Sequence, residues 1–107
     1  MNPIVETEEN VYVTLTGRVD IYHAPAIRAQ FVELLTKHGA CFVLDLTETT
    51  FIDSAGLAAL VQFWTHARQH GGDVKFILPE DDNVTRIFHL TQFDQVFEIL
   101  PTSARKA

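Results

Sequence analysis

Apolar residues recur along this chain with two different periods, and the switches between the periods mark out its elements. In "VYVTLT", Val11, Val13 and Leu15 alternate with Tyr12, Thr14 and Thr16. A period of two buries one face of a strand and exposes the other. The preceding "NPIVET" reads as a partner strand joined through the turn "EEN", which makes an opening hairpin. Gly17 ends the run, and "RVDIYHA" leads to Pro25, suited to the first helical position because an N–H there would have no partner anyway. Ile27, Phe31, Leu34, Leu35 and His38 then share one helical face, with Gly39 as the C-terminal cap.

The next run, "CFVLDL", is continuously apolar, as in a strand covered on both faces. After a loop "TETTFID", a second helical stripe comprises Leu57, Leu60, Val61, Trp64 and Ala67 and closes at Gly71 and Gly72. "VKFIL" is a further strand stopped by Pro79. "DDNVTRIFHL" opens with capping residues and sets Val84, Ile87 and Phe88 on one face of a third helix. "VFEIL" can add a short last strand, and "PTSARKA" reads as a frayed tail. The order ββαβαβα(β) predicts an α/β fold: a mixed sheet of four or five strands, an antiparallel N-terminal hairpin and about three helices. With 107 residues the chain holds one domain, with a core over about 4–100 and a tail at 101–107.

Charge narrows the function classes. Fourteen acidic against eight basic residues give a formal net charge of −6, and the basic residues form no stripe. A phosphate backbone would be repelled, which disfavours direct nucleic-acid binding. The single cysteine, Cys41, opens an apolar run and reads as a small buried side chain; no disulfide framework is available. The N-terminus lacks the basic and apolar regions of a signal peptide, and no apolar run approaches the roughly 20 residues of a membrane span, so the expectation is a cytoplasmic protein.

Sites in such sheets form where strand ends lead into helices. Two segments bring chemistry there: "GRVDIYH", with Asp20, Tyr22 and His23, and "TETTFIDSAG", a long strand-to-helix connection. Asp53 or Ser54 can cap the second helix, yet neither has the Glu or Gln three residues on that completes a capping box. A nucleophile elbow needs glycine two residues before its serine, where Ile52 stands, and no phosphate-cradling glycine motif occurs. His66 and His70 have the i, i+4 spacing of a zinc pair, but Ala67 stands in the position of the metalloprotease glutamate and no third ligand is evident. Neither catalysis, a metal nor a cofactor is expected.

"LTGRVDIYHAPAIRAQF" and "LDLTETTFIDSAGL" resemble the STAS domain, in particular bacterial anti-sigma factor antagonists, over about residues 4–100. The second segment is similar to that family's D-L-x-x-[VT]-x-[FY]-[IM]-D-S-x-G-L. The resemblance implies that Ser54 is phosphorylated by an anti-sigma factor that is also a serine kinase. It implies that the unmodified chain binds this partner and frees a sigma factor, and that a phosphatase restores the active form. Ala55 stands where many antagonists carry Ser or Thr, leaving Ser54 as the single acceptor of the motif, and many relatives continue into a fourth helix. The partner face implied comprises Asp20, Tyr22, His23, Thr49, Thr50, Asp53, Ser54, Ala55, Gly56 and Phe63, the last placed beside the main stripe of its helix. The alternative in another class is a non-catalytic STAS subunit of a bacterial lipid-transport complex that binds its ATPase; relatives of that kind often carry Thr or Gly at this turn.

Overall fold

The apolar run after Gly39 forms the middle strand of the sheet in the computed structural model, which describes residues 2–80 and 83–105. In chain order the elements are β1 (Ile4–Glu6), β2 (Val11–Thr14), β3 (Gly17–Val19), α1 (Ala24–Lys37), β4 (Cys41–Asp45), β5 (Thr49–Ile52), α2 (Ser54–Gln69), β6 (Asp73–Ile77), α3 (Asn83–Leu90) and β7 (Ile99–Leu100). Short 3-10 turns cover Phe93–Gln95 and Thr102–Ala104. The main sheet runs β1-β2-β4-β6-β7, antiparallel in the hairpin and parallel in every other pair. The helical crossovers between parallel neighbours follow from the alternating strand and helix periods.

Register puts Val11 and Val13 opposite Phe42 and Leu44, and these opposite Val74 and Phe76, so six apolar side chains share one face. The helices press on that face through aromatic rings. Phe63 of α2 stacks on Phe31 of α1 at 4.1 Å between ring centroids and meets Phe42 of β4 at 4.8 Å. Phe76 of β6 contacts Phe88 of α3 at 5.7 Å and Phe97 at 4.6 Å. Helix α1 keeps Pro25 in its first turn and ends before Gly39, whose φ of +90° is open to a residue without Cβ.

Four features differ from the sequence expectations. The stretches 17–19 and 49–52, expected as a lead-in and a loop, are strands: β3 and β5 form a separate parallel pair with Val19 opposite Ile52. Neither "GRV" nor "TTFI" alternates apolar with polar positions, so no period of two marks them. Phe63 is not beside the apolar stripe but inside the core, 1% exposed, because α2 packs against both α1 and the sheet and its buried face is correspondingly wide. Cys41 is exposed: it is the first residue of β4, and burial begins at Phe42. Residues 101–105, expected to fray, make a turn from which Arg105 reaches back to Asp45 at 2.9 Å and Glu48 at 3.0 Å. The expected caps Asp81 and Asp82, and the last two residues of the tail, lie outside the described residues.

The β3–β5 pair is what brings the start of α2 into place. Gly56, in the first turn of α2, lies against the backbone of Val19 in β3, where an added Cβ would stand 1.9 Å from the Val19 carbonyl oxygen. That atom is backbone and cannot step aside. Gly56→Ala and Gly56→Val are therefore expected to lower unfolding free energy by at least the ~1–3 kcal/mol of an overpacked core, measured by urea denaturation, with Val the worse. Phe63→Ala should cost about 3–5 kcal/mol in the same measurement, whereas a docking side chain on the surface would cost almost nothing.

Candidate functional site

Helix α2 begins at the end of β5 and exposes four backbone N–H groups that need partners. Asp53 supplies the cap: its backbone is extended, and its Oδ1 accepts the Gly56 N–H at 2.9 Å. Such caps contribute about 1 kcal/mol. The other oxygen, Oδ2, accepts the N–H of Ile21 at 3.0 Å, from the loop that follows β3. One carboxylate thus ties the two strand-to-helix connections together. Ser54, the other capping candidate, is the first helical residue and is exposed, its hydroxyl unused by the cap.

Asp20 organises the first connection in the same way. Its Oδ1 accepts the N–H groups of Tyr22 and His23 at 3.2 and 3.1 Å, while Oδ2 accepts from Arg18 Nε at 3.0 Å. The His23 ring closes on Oδ1 through Nδ1 at 2.6 Å. An ionised carboxylate only accepts, so His23 carries a proton on Nδ1. The hydrogen bond from His23 is the largest cause that lowers the Asp20 pKa from 3.8 to about 2; Arg18 adds to it, and burial opposes it. Tyr22 is held by its backbone while its ring projects into solvent, 87% exposed.

The structure thus brings Asp20, Tyr22, His23, Asp53, Ser54, Ala55 and Gly56 to one edge, where the two connections meet. It places three other expected residues elsewhere. Thr49 is buried and donates its hydroxyl to the Leu15 carbonyl at 2.7 Å, which makes it a structural pin for β5. Thr50 is exposed but lines a cleft of about 520 Å³ with Asn83, Arg86, His89 and Asp94, on the α3 side. Phe63 belongs to the core. Sequence reasoning passed over Arg18, Ile21 and Phe51, which are exposed around the same edge; Arg18 lies over the Phe51 ring at 4.1 Å. Ile21 carried a signal, an apolar residue inside a polar turn that fits neither flanking period.

His66 and His70 do not face a common ligand position: His70 Nδ1 donates to the His66 carbonyl at 2.8 Å and closes the helix end. Among the described residues no cluster of three or more His, Cys, Asp or Glu side chains is set to hold a metal ion, and no helix is long and apolar enough to cross a membrane.

A pH effect follows from Asp20. Its folded pKa, about 2, lies below the ordinary 3.8, so ionised Asp20 stabilises the folded chain above pH 3.8, and that contribution is lost as pH falls through about 2. Asp20→Asn should flatten the fall in urea stability over this window. Identical slopes in the two proteins would place the acid sensitivity in other carboxylates.

The geometry agrees with comparisons to known proteins. The STAS domain profile matches residues 2–105. The anti-sigma-B factor antagonist of Bacillus subtilis (strain 168) is 26% identical over 96 residues, spanning 90% of this chain and 86% of that protein. An anti-sigma factor antagonist from Mycobacterium paratuberculosis superposes with a TM-score of 0.82 at 22% identity, over 95% of this chain and 86% of that one. The Bacillus cell fate determinant SpoIIAA in its phosphorylated form superposes with a TM-score of 0.73 at 15% identity, over 97% and 93%. The two structures speak to fold alone, and both share this arrangement of sheet and helices. With nearly the whole chain matched by the profile, the protein belongs to the STAS domain family.

Proposed function

We propose that this chain is a non-catalytic anti-sigma factor antagonist of the cytoplasm, switched by phosphorylation of Ser54. The observation that carries the reading is the division of labour at the start of α2: Asp53 makes the cap, and Ser54 is exposed beside it at the first helical position. The similarity to an anti-sigma-B factor antagonist along 90% of the chain supports the partner class. The partner is an anti-sigma factor with serine kinase activity. Unmodified, the chain occupies that partner and the sigma factor is free.

The kinase transfers the γ-phosphoryl group of ATP to Ser54 Oγ, releasing ADP and the hydroxyl proton. A phosphatase returns Ser54 by hydrolysing the ester to inorganic phosphate. At the first turn of α2 the new charge of about −1.5 to −2 sits near unpaired N–H groups and the positive end of the helix dipole. That local term is favourable by about 0.3–1 kcal/mol, so the fold survives modification and the effect falls on the interface. Tyr22, His23, Ser54 and Ala55 are the contact residues, and Asp20, Asp53 and Gly56 hold them in position.

Ser54→Ala is expected to bind the anti-sigma factor in the presence of kinase and ATP, where wild type is released. Ser54→Asp should bind about a hundredfold more weakly, equivalent to about 2.7 kcal/mol, with an unchanged melting temperature. Calorimetric titration gives the affinities, and mass spectrometry of the kinase-treated chain identifies the modified residue. Phosphate on another residue, or wild-type affinity in the Asp variant, would refute the switch.

A further inference from the structure

The arm that follows β7 brings a cation back to the end of β4. It is a short turn, closed by the Ala104 N–H on the Pro101 carbonyl at 2.9 Å and the Arg105 N–H on the Thr102 carbonyl at 3.1 Å. From this turn Arg105 donates through Nε to Asp45 Oδ2 at 2.9 Å and through Nη2 to Glu48 Oε2 at 3.0 Å. The Asp45 side chain is 3% exposed, so this is no loose surface pair. A guanidinium holds its donors in a rigid planar fork, and one such group can fix two carboxylates relative to each other. The hydrogen bond to Asp45 is the largest cause that raises the Arg105 pKa, and the charges of Asp45 and Glu48 act in the same direction.

The two acids bracket the turn from β4 to β5, and that turn is tied to the chain around the start of β3. The Asp45 carbonyl accepts the Leu15 N–H at 3.0 Å, and the Glu48 carbonyl accepts the Gly17 N–H at 3.0 Å. Thr49 adds its hydroxyl on the Leu15 carbonyl at 2.7 Å. Gly17 and Thr49 are the first residues of β3 and β5, the parallel pair whose other ends lead into the Asp20 loop and the Asp53 cap. Without Arg105, Asp45 would keep the Thr47 donors on Oδ1 and lose the donor on Oδ2. A buried carboxylate oxygen does not stay unpaired, so the turn would have to move or admit water.

We infer that the C-terminal arm is a conformational latch: Arg105, seated between Asp45 and Glu48, fixes the starts of β3 and β5, and its release loosens the loop and the helix start at their other ends. The two strands have three and four residues, which leaves little length over which a displaced start can be absorbed. At the far end Asp53 reports any shift, because its N–H meets the Val19 carbonyl of β3 and its Oδ2 accepts the Ile21 N–H. The latch consists of contacts within one chain, so it stands or falls independently of whether Ser54 is modified and of what binds there.

Native-state hydrogen exchange separates a local latch from a general loss of stability, because it reads opening amide by amide. Wild type is compared with Arg105→Ala, Arg105→Lys and Glu48→Gln. The Thr47 and Gly17 amides report the turn, the Ile21 and Asp53 amides report the far end, and Leu44, buried in the middle strand, reports unfolding of the whole chain. In Arg105→Ala, exchange at Thr47 and Gly17 should quicken by about tenfold or more beyond any change at Leu44, the effect of one lost charge-assisted bond. Ile21 and Asp53 should quicken in the same direction, again beyond Leu44. Lysine offers a single ammonium in place of the fork and should restore part of the protection. Glu48→Gln leaves the Asp45 bond in place and should quicken exchange less than the alanine variant does; should Arg105→Ala fail to fold, the Lys and Gln variants carry the comparison with wild type. Exchange at Thr47 and Gly17 that is unchanged, or quickened only as much as at Leu44, would overturn the latch. Quickening confined to Thr47 and Gly17 would overturn it equally, since nothing would then pass along the strand pair.

Discussion

The Asp53 carboxylate is the constraint on which the functional edge depends. Its two oxygens accept from Gly56 in the first turn of α2 and from Ile21 in the loop after β3, segments far apart in sequence. Neither bond is large alone, since a net hydrogen bond contributes about 1 kcal/mol. Their effect is geometric. Because they share one rigid planar group, the loop cannot shift relative to the helix start without leaving an N–H unpaired. The β3–β5 pair supplies the frame, with the Asp53 N–H on the Val19 carbonyl at 3.3 Å and Gly56 pressed against the same peptide. A side chain at 56 would push the helix off the strand and pull the Asp53 bridge apart.

This arrangement separates two adjacent residues, one bound into the helix cap and one left exposed. A serine that served as the cap would have its hydroxyl committed to backbone N–H groups, and modification would compete with helix termination. Here aspartate holds the cap, with charge-assisted bonds that are stronger than a hydroxyl would make. Ser54 is left exposed on a helix start that its neighbour has already fixed. Asp20 repeats the device one loop away: its low pKa, about 2, records how completely His23 and Arg18 satisfy it. Two acids are used internally, and the turns they organise meet at one edge.

Much of the fold was legible because it rests on repeating patterns. The alternation in "VYVTLT" marks the hairpin's second strand, the 3.6 spacing marks the three helices, and an unbroken apolar run marks β4. The β3–β5 pair escaped because its strands are short and pair with each other rather than with the main sheet. Phe63 was misplaced because a single-stripe reading assumes one packing partner, while α2 has two. Arg105 escaped for a different reason: an ion pair across 60 residues leaves no local pattern. At the candidate site, the motif pointed to the turn that Asp53 caps, but it could not separate Thr49, which bonds inward to Leu15, from residues that face solvent. Side-chain direction within a four-residue strand is set by its partner strand, and no periodicity reports it.

The Arg105 contact also bears on how the edge is held. Asp45 ends β4, is buried, and accepts both the Thr47 N–H at 2.9 Å and its hydroxyl at 2.7 Å through one oxygen, while Arg105 takes the other. The connection from β4 to β5 is therefore fixed at its first residues, before β5 delivers Phe51, Asp53 and Ser54. A buried carboxylate without these donors would carry a desolvation penalty of several kcal/mol, so the contact with the chain's last described residue stabilises the segment that positions the serine. Rigidity enters the edge from three directions: Asp45 below β5, Asp53 at the start of α2 and Asp20 in the loop after β3. Each of the three acids is satisfied inside the chain, and together they fix the turn that presents Ser54.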